Sequence, residues 1–446
     1  MGKWFGTDGV RGVANRELTP ELVFQLGRAA AYTLTSRRPG SRFVVGKDTR
    51  ISGDMLEAAL ISGILSMGVD VLRLGVIPTP GVAYLTRHLR ADAGVMISAS
   101  HNPVEDNGIK FFGGDGFKLL DHIELEIERL MEQGQDDLPR PVGAQVGRLY
   151  DEPATGRYLD FLSETVRHRF KGLHIVMDCA NGAASFLAPA LFERLGARLT
   201  VIHSQPDGVN INVGCGSTHP HVVQRMVLQE RADLGLTFDG DADRLIAVDH
   251  TGQLVDGDYI LAICGLAMKK RGELRDDTIV ATVMSNLGFL KAMKESGIHV
   301  ERTAVGDRYV MERMRECQAV LGGEQSGHII FLNHTTTGDG MLTALQLVDV
   351  MVESGQTLAE LRKVMQRYPQ LLENIRVTDK TAWRTNAAIQ QVMKVEEERL
   401  GEDGRLLVRE SGTEPIVRVM AEGPDERELE NCVQRIAGVI RSEIGL

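Results

Sequence analysis

The sequence predicts an α/β fold in which three related mixed-sheet α/β domains are followed by a smaller α+β domain. Three observations lead to this prediction. The 446 residues suit about three or four domains of ordinary size. One order of strands and helices occurs three times, and the last part of the chain has a different order. We expect the domains to span residues 1–150, 151–252, 253–368 and 369–446.

The three repeats share one order: strand, helix, strand, helix, strand, polar loop and a further strand. The predicted first strands are 42–46, 174–178 and 278–283, and the predicted third strands are 93–97, 233–237 and 319–322. Because strands that alternate with helices form right-handed crossovers, we expect mostly parallel sheets. Open α/β sheets place their reacting groups at the carboxyl ends of the strands. The polar loops that follow the third strands are therefore candidate functional segments.

The C-terminal part differs from the repeats. Helices are predicted at about 388–400 and 426–444, with strands at 405–408 and 416–420 between them. A segment near 368–373 is expected to connect this part to the third repeat. This order of elements is typical of a small α+β domain.

The composition restricts the class of function. The net charge of −11, from 61 acidic and 50 basic residues, disfavours a general nucleic-acid binder, which needs a basic face. The five cysteines are widely spaced without a CxxC pair, so neither a zinc site nor a disulfide framework is indicated. The start of the sequence has no apolar h-region of a signal peptide, and the longest apolar run, 259–268, is too short to span a bilayer. We expect a cytoplasmic protein with neither a membrane nor a nucleic-acid partner.

The first polar loop, residues 98–103, follows an apolar run that predicts a buried strand. It contains Ser100 and His101, and Pro103 prevents a helix or a ladder from continuing there. A serine beside a histidine at the carboxyl end of a buried strand is a candidate nucleophile. The local pattern is also typical of an ordinary polar turn. The functional interpretation therefore depends on the other loops.

The second polar loop contains three carboxylates at alternate positions, Asp239, Asp241 and Asp243. Small residues between them allow the carboxylates to turn toward one point, which suits a hard divalent cation such as Mg²⁺. An EF-hand is excluded, because its glycine position holds Arg244 and its final glutamate position holds His250. An acidic solvated turn is the alternative, but three close carboxylates repel one another unless a cation compensates.

The third polar loop, residues 322–328, places Glu324, Ser326 and His328 on a glycine-flanked turn. Such groups can hydrogen-bond sugar hydroxyls, and a histidine can move protons near neutral pH. A satisfied polar turn explains the same residues equally well.

A fourth polar loop lies in the C-terminal part. Arg409, Ser411, Gly412 and Thr413 offer a guanidinium, two hydroxyls and a permissive backbone, and Arg418 can add a second guanidinium. This set can cradle a phosphate, although serine, glycine and threonine are also common in turns.

The motifs together resemble those of the α-D-phosphohexomutase superfamily from end to end. They are FGTDGVRG, ISASHNP, DGDADR, GEQSGH and RESGTEP, in this order along the chain. The combination is specific even though the single loops are not. The resemblance implies four domains around a central cleft, of which the first three are related to one another. Within the superfamily the motifs most closely match bacterial members that act on glucosamine phosphates.

The resemblance also implies a role for each motif. Ser100 would carry the phosphoryl group and, with Asp239, Asp241 and Asp243, would hold one Mg²⁺ per subunit. The cations around the transferring phosphoryl would be Arg11, Lys110 and Arg244. The candidate proton carriers are His101, Lys110 and His328. The groups that bind sugar hydroxyls and the second phosphate would be Glu324, Ser326, Arg409, Ser411, Gly412, Thr413 and Arg418.

The implied activity is the interconversion of glucosamine 6-phosphate and glucosamine 1-phosphate. It would proceed through phospho-Ser100 and glucosamine 1,6-bisphosphate, which would also act as activator, and would feed the synthesis of UDP-N-acetylglucosamine and cell-wall precursors. The family suggests a homodimer. Alternatives are a phosphoglucomutase or phosphomannomutase that differs only at C2 of the sugar, and a magnesium-dependent sugar phosphatase. A non-catalytic sensor is a further alternative, against which the presence of Ser100 and the three aspartates argues.

Overall fold

The structure is a computed structural model that describes residues 2–6, 8–35, 40–133, 137–411 and 414–446. Over these residues the chain forms four β-sheets and packs as two compact units. One unit comprises Met1–Val283 and His299–Lys363, and the other comprises Met284–Ile298 and Val364–Leu446. Among the described helices, none combines the length and the apolar character that a membrane span requires.

The first sheet has seven strands. They are β1 (Phe5–Gly6), β2 (Gly9–Val13), β3 (Arg42–Lys47), β4 (Asp70–Val76), β5 (Ala93–Ile97), β6 (Asp106–Gly113) and β7 (Leu149–Asp151). Their order is β1-β2-β6-β5-β3-β4-β7, in which β3, β4, β5 and β7 run parallel. The accompanying helices are α1 (Pro20–Leu34), α2 (Ser52–Leu65), α3 (Thr79–His88) and α4 (Asp121–Glu132). Phe43, Val45 and Val95 of the sheet belong to the same buried core as Leu26 and Leu60 of the helices.

The second and third sheets complete the first unit. Their strands are β8 (His174–Asp178), β9 (Arg198–Ile202), β10 (Leu234–Phe238), β11 (Leu245–Asp249), β12 (Leu254–Val255), β13 (Thr278–Thr282), β14 (His299–Thr303), β15 (Leu321–Gly323) and β16 (Ile329–Phe331). The helices along this part of the chain are α5 (Thr155–Glu164), α6 (Leu187–Arg194), α7 (His221–Glu230), α8 (Gly257–Arg271), α9 (Leu287–Glu295), α10 (Asp307–Cys317), α11 (Gly340–Ser354) and α12 (Leu358–Leu361). The strand orders are β12-β11-β10-β8-β9 and β14-β13-β15-β16.

The three sheets contain the same four-stranded arrangement, and the predicted repeat is confirmed. The orders β4-β3-β5-β6, β9-β8-β10-β11 and β14-β13-β15-β16 are equivalent, with the first three strands of each repeat parallel. The fourth strand is antiparallel in every repeat. A short loop can return the chain only antiparallel, because a parallel return needs a long crossover. The sheets are therefore mixed, as the predicted fold class states, rather than mostly parallel throughout.

The C-terminal sheet is antiparallel. Its strands are β17 (Gln370–Arg376), β18 (Arg405–Glu410) and β19 (Ile416–Glu422), in the order β17-β19-β18, with helices α13 (Ala387–Leu400) and α14 (Glu426–Ile444). The prediction that 368–373 is only a connector is wrong, because residues from Gln370 onward pair with β19. The sequence of this edge strand mixes charged and apolar residues, and Ile375 is its one buried member. Such a pattern gives little periodic signal.

Residues 284–298 pack with the C-terminal unit, although the sequence places them inside the third repeat. Asn286 caps α9 through the Gly288 amide, and its side-chain amide donates to the Tyr368 carbonyl at 3.0 Å. Its side chain also donates to Glu422 of β19 at 3.1 Å. Helix α9 therefore belongs to the third repeat by its order in the chain and to the C-terminal unit by its packing.

Candidate active site

Ser100 lies on the loop that follows β5, the third strand of the first repeat. Its φ of 53° is in the left-handed region, which costs a non-glycine residue energy unless the surroundings hold it there. The Ser100 hydroxyl donates to Asp239 Oδ2 at 2.5 Å and lies 3.3 Å from His101 Nδ1. The residue is 2% exposed. The serine loop of the first repeat thus faces the carboxylate loop of the second.

The three aspartates of that loop form a buried cluster after β10. One oxygen from each of Asp239, Asp241 and Asp243 lies within 4.8 Å of the other two. Asp241 Oδ1 and Asp243 Oδ1 are buried, and none of the described residues donates a hydrogen bond to them. A buried carboxylate oxygen without a partner is costly. The residues therefore fit a hard cation, which prefers carboxylate oxygens.

The surroundings shift the pKa values of Asp239 and Asp243 in opposite directions. Burial, followed by the Asp243 and Asp241 charges, raises the pKa of Asp239 well above its ordinary value. Burial acts in the same direction on Asp243, but His328, Lys110 and Arg244 outweigh it and lower the pKa of that carboxyl. A cation bound among them would remove the repulsion that acts on Asp239.

Lys110 lies on β6 and supplies a buried positive charge to the same cluster. Its ammonium is 2.8 Å from Asp241 Oδ2, 3.2 Å from Asp8 Oδ2 and 3.8 Å from Asp243 Oδ2. Burial opposes the charge, but the Asp241 and Asp8 carboxylates outweigh it and raise the pKa of Lys110. Thr79, at the start of α3, also donates to Asp241 Oδ2 at 2.5 Å.

Arg11 and Arg244 lie close enough to His101, the neighbour of Ser100, for their charges to act on its imidazole. The two arginine side chains are 27% and 26% exposed, so both reach the surface of the site. The Arg11 guanidinium pairs with Asp8, and the Arg244 amide donates to Asp239 Oδ1 at 3.2 Å. Burial, then the two guanidinium charges, lowers the pKa of His101 to about 4. Near neutral pH this imidazole is uncharged and can accept a proton.

The loop of the third repeat meets the carboxylate loop through His328. The imidazole is buried, with Nδ1 at 3.5 Å from Asp243 Oδ2 and Nε2 at 3.6 Å from Asp307 Oδ2. Burial lowers the pKa of His328, but the Asp243 and Asp307 carboxylates outweigh it, so the net shift is upward. Glu324 is nearly buried and accepts a hydrogen bond from the Gly306 amide, whereas Ser326 is exposed.

Sequence reasoning missed three charged residues that the structure brings to the site. Asp8, Lys118 and Asp307 form one ion-pair chain, in which the Lys118 ammonium is 2.6 Å from Asp8 Oδ1 and 2.5 Å from Asp307 Oδ2. Asp8 lies in the glycine-rich stretch near the N-terminus, and Asp307 follows β14 as the first residue of α10. A polar residue after a parallel strand is a signal that could have identified Asp307.

The C-terminal unit carries the fourth polar loop between β18 and β19. Arg409 and Arg418 are register partners on these two strands, and burial, then the Arg418 charge, lowers the pKa of Arg409. Arg418 Nε is buried without an acceptor among the described residues. The Ser411 carbonyl accepts a hydrogen bond from the Lys380 ammonium at 3.0 Å. Gly412 and Thr413, predicted to belong to this cradle, lie outside the described residues.

The chemistry of the site follows from these contacts. A buried hydroxyl faces a carboxylate cluster suited to a divalent cation, and Lys110, Arg11 and Arg244 supply positive charge around it. Phosphoryl transfer needs such positioning and charge more than covalent chemistry. Together with the three-repeat fold, the site defines an enzyme of the phosphohexomutase class.

Four family models match the chain and cover most of its length. They are described as phosphoglucomutase/phosphomannomutase alpha/beta/alpha domain I (residues 2–137), domain II (156–252), domain III (256–368) and C-terminal domain (372–439). The chain belongs to the phosphoglucomutase/phosphomannomutase family.

Known relatives agree with this assignment. The phosphoglucosamine mutase of Brevibacillus brevis is 57% identical over 447 residues, which cover 100% of both chains. A solved phosphoglucomutase/phosphomannomutase family protein from Burkholderia thailandensis has a TM-score of 0.83 at 23% identity, with 99% of each chain covered. Aspergillus fumigatus N-acetylphosphoglucosamine mutase, solved with GlcNAc-6P and magnesium, has a TM-score of 0.70 at 18% identity over 98% of this chain and 95% of that one.

Proposed function

We propose that this protein interconverts glucosamine 6-phosphate and glucosamine 1-phosphate. The observation that carries the proposal is the hydrogen bond that the Ser100 hydroxyl donates to Asp239 Oδ2 at 2.5 Å. Asp239 belongs to the buried carboxylate cluster. The choice of glucosamine rests on the full-length relative at 57% identity, which is a phosphoglucosamine mutase. The product would supply the synthesis of UDP-N-acetylglucosamine and cell-wall precursors.

The carboxylate cluster is the proposed site of one Mg²⁺ per subunit. Asp239, Asp241 and Asp243 would hold the ion, and Ser100 would contribute an oxygen once it carries a phosphoryl group. Two carboxylate oxygens without hydrogen-bond donors among the described residues support this assignment. When bound, the ion supplies Lewis-acid stabilisation to the phosphoryl oxygens.

The proposed reaction uses Ser100 twice. In the first half, the bond between phosphorus and Ser100 Oγ breaks while a bond between phosphorus and sugar O1 forms; the O1 proton passes to a base, and Ser100 Oγ takes a proton and becomes a hydroxyl. The bound glucosamine 1,6-bisphosphate then reorients end over end, so that its 6-phosphate faces Ser100. In the second half, the bond between phosphorus and O6 breaks while a bond between phosphorus and Ser100 Oγ forms; the Ser100 hydroxyl gives its proton to a base, and O6 takes a proton. His101, Lys110 and His328 are the candidate proton carriers.

The remaining residues bind and orient in this scheme. Lys110, Arg11 and Arg244 would face the oxygens of the transferring phosphoryl group, since Lys110 and Arg244 pair with aspartates of the carboxylate cluster and Arg11 pairs with Asp8, which also contacts Lys110. Glu324 and Ser326 would bind sugar hydroxyls. The cradle for the phosphate that does not react would consist of Arg409, Ser411, Gly412, Thr413 and Arg418. The register pairing of two arginines, Arg409 and Arg418, supports an anion site there.

We also propose the organisation and the setting of the protein. The proposed domains are 1–150, 151–252, 253–368 and 369–446, and the four matching family models, which fall within these ranges, support them. A homodimer in the cytoplasm, without a nucleic-acid or membrane partner, is the expected state. Light scattering would test it, and a monomer at micromolar concentration would contradict the dimer.

The experiment that tests the function is a turnover assay with Mg²⁺ and a trace of sugar bisphosphate. Glucosamine, glucose and mannose 6-phosphates are compared side by side, with Ser100→Ala as the control. We expect a marked kcat/KM preference for glucosamine 6-phosphate and no isomerisation by the variant. A preference for glucose or mannose phosphate would identify a phosphoglucomutase or phosphomannomutase. Free phosphate without an isomer would identify a phosphatase, and undiminished activity of Ser100→Ala would rule out the serine mechanism.

A further inference from the structure

Two buried side chains from different repeats hold the backbone carbonyls of the serine loop. Arg50 Nη2 donates to the carbonyls of Ser100 and Asn102 at 2.9 and 2.8 Å. Asn212 Nδ2 donates to the same two carbonyls at 2.9 and 3.1 Å. Each carbonyl thus accepts one hydrogen bond from each side chain. We call Arg50 and Asn212 the carbonyl clamp.

The Arg50 half of the clamp is fixed by a second buried network. The Arg50 side chain is fully buried, its Nε lies 3.0 Å from Asp48 Oδ2, and it also donates to the Pro103 carbonyl. Asp48 Oδ2 accepts from the Ser98 hydroxyl at 2.5 Å, and Ser98 Oγ accepts from the Ser100 amide at 2.9 Å. The N–H and the C=O of Ser100 are therefore both tied to the same ion pair.

The Asn212 half connects the serine loop to the second repeat. Asn212 is buried, and its own amide donates to the Ala180 carbonyl, just beyond β8, at 2.9 Å. Gly240 of the carboxylate loop packs against the same point, since a Cβ there would lie 2.5 Å from the Ser100 carbonyl oxygen. Asn212 and Gly240 of the second repeat thus both contact the Ser100 carbonyl of the first repeat.

The position of Ser100 bears directly on phosphoryl transfer. Ser100 holds a left-handed φ of 53°, and its hydroxyl faces a carboxylate cluster that would repel an attached phosphoryl group. Transfer requires the donor to stay in line with the sugar oxygen, and a displacement of about 1 Å can cost about 100-fold in rate. We propose that Arg50 and Asn212 are positioning residues, which fix the direction of Ser100 Oγ by holding its carbonyl from both sides. This inference rests on the proposed function.

Asn212 offers the cleaner test, because removing Arg50 would leave Asp48 as a buried unpaired charge. Asn212→Ala deletes the donor, and Asn212→Asp keeps the shape but turns a carboxylate toward two carbonyl oxygens. Gln224→Ala is the matched control, since Gln224 Nε2 in the same repeat donates to the Gly252 carbonyl at 2.7 Å. Turnover, phosphoserine content by mass spectrometry and phosphate release are measured well below the melting temperature of each variant.

For Asn212→Ala we expect kcat to fall about 10- to 100-fold while KM for the sugar phosphate changes less than about threefold. Phosphate release per turnover should rise, because a misdirected phosphoserine is lost to water more often. Asn212→Asp should be at least as impaired, and Gln224→Ala should match the wild type. A value of kcat within twofold of the wild type in both Asn212 variants would overturn the proposal, as would an equal loss in the control.

The same experiment distinguishes a failure of the carbonyl clamp proposal from a failure of the proposed function. If the wild type forms phospho-Ser100 but does not isomerise glucosamine phosphate, the proposed function fails. The clamp is then judged by the lifetime of phospho-Ser100, which should be shorter in Asn212→Ala than in the wild type. An equal lifetime in the two proteins would overturn the clamp by itself.

Discussion

The Lys118 ammonium lies 2.5 Å from the Asp307 carboxylate and joins the loop after β6 to the start of α10. The same ammonium lies 2.6 Å from Asp8, which in turn contacts Lys110 and Arg11. Residues far apart in the sequence thus form one chain of alternating charges along the site. This chain of ion pairs links the first repeat to the third.

Lys118→Met should destabilise the protein. The substitution leaves Asp8 and Asp307 facing each other without their shared cation, and breaking a largely buried pair costs roughly 2–3 kcal/mol. We expect the melting temperature to fall by about 2–4 °C, because the unfolding entropy of a chain of this length is large. Lys118→Arg, which keeps the charge, should lose less. Equal melting temperatures for Lys118→Met and the wild type would show that the ion-pair chain does not stabilise the fold.

Asp241→Asn should weaken magnesium binding. Substituting even an indirect partner of a metal ligand typically costs about 10- to 100-fold in affinity, so a direct ligand should cost at least about 100-fold. Titration calorimetry with Mg²⁺ measures the affinity, and the metal dependence of turnover gives a second reading. The control is Asp160→Asn, which alters an exposed carboxylate paired with Arg194 on the surface. Unchanged affinity in Asp241→Asn would place the cation elsewhere.

Tyr158→Phe should cost about 1–2 kcal/mol of stability. The Tyr158 hydroxyl on α5 is buried and donates at 2.7 Å to Asp339, the residue that caps α11. Removing it leaves a buried carboxylate oxygen without its donor. Tyr84→Phe is the control, because the Tyr84 hydroxyl is 3.2 Å from His88 in an exposed position, and it should change the melting temperature little. Similar effects of the two substitutions would contradict the importance of the buried bond.

Glu124→Gln should stabilise the protein increasingly as the pH rises. Burial raises the pKa of Glu124 to about 7, although Arg308 Nη1 lies 3.7 Å away. The folded state then binds the proton more tightly than the unfolded chain, whose glutamate titrates near 4.5. Between these two pKa values the wild type loses stability with increasing pH. The difference between these pKa values, at about 1.4 kcal/mol per unit, sets an upper limit of about 3.5 kcal/mol. Solvent screening of this partly exposed carboxyl reduces the effect, so at pH 8 the variant should exceed the wild type by roughly 2 kcal/mol.

Glu126→Gln is the control for this experiment, because its effect on stability at high pH should be opposite to that of Glu124→Gln. The hydrogen bond from Arg129 lowers the pKa of the neighbouring Glu126, so ionisation of this carboxyl stabilises the fold above its ordinary pKa. Glu126→Gln should therefore melt below the wild type at pH 8 and match it more closely near pH 4. If the difference between Glu124→Gln and the wild type is the same at pH 5 and pH 8, Glu124 does not titrate as described.

The repeat could be predicted from the sequence because its strands are short apolar runs bounded by glycine and polar loops. The predicted third strand of the first repeat, 93–97, coincides with β5, and the predicted first strand of the second repeat, 174–178, coincides with β8. Helices α8 and α11 were not predicted. Both are buried along almost their whole length, and a helix that is apolar on all sides shows no amphipathic stripe.

The candidate site could be predicted only in part. The serine and the carboxylate loop carry local patterns, and the structure brings Ser100 and Asp239 into direct contact. The contribution of Asp8, Lys118 and Asp307 could not be predicted from spacing, because their ion pairs join residues more than 100 positions apart. The packing of α9 with the C-terminal unit is likewise a property of tertiary contacts.

The equivalent strand order of the three sheets has a consequence for protein engineering. The serine, carboxylate and Glu324 loops each connect the third strand of a repeat to its antiparallel fourth strand. Each loop is thus held at both ends by its own hydrogen-bonded hairpin. A loop from a relative with another sugar preference could be grafted between β15 and β16 with His328 retained, because this residue contacts Asp243, while the strand pairing that carries Ser100 and the aspartates stays intact. If the Glu324 loop binds the sugar as proposed, such a graft would alter substrate choice and leave the serine and carboxylate loops unchanged.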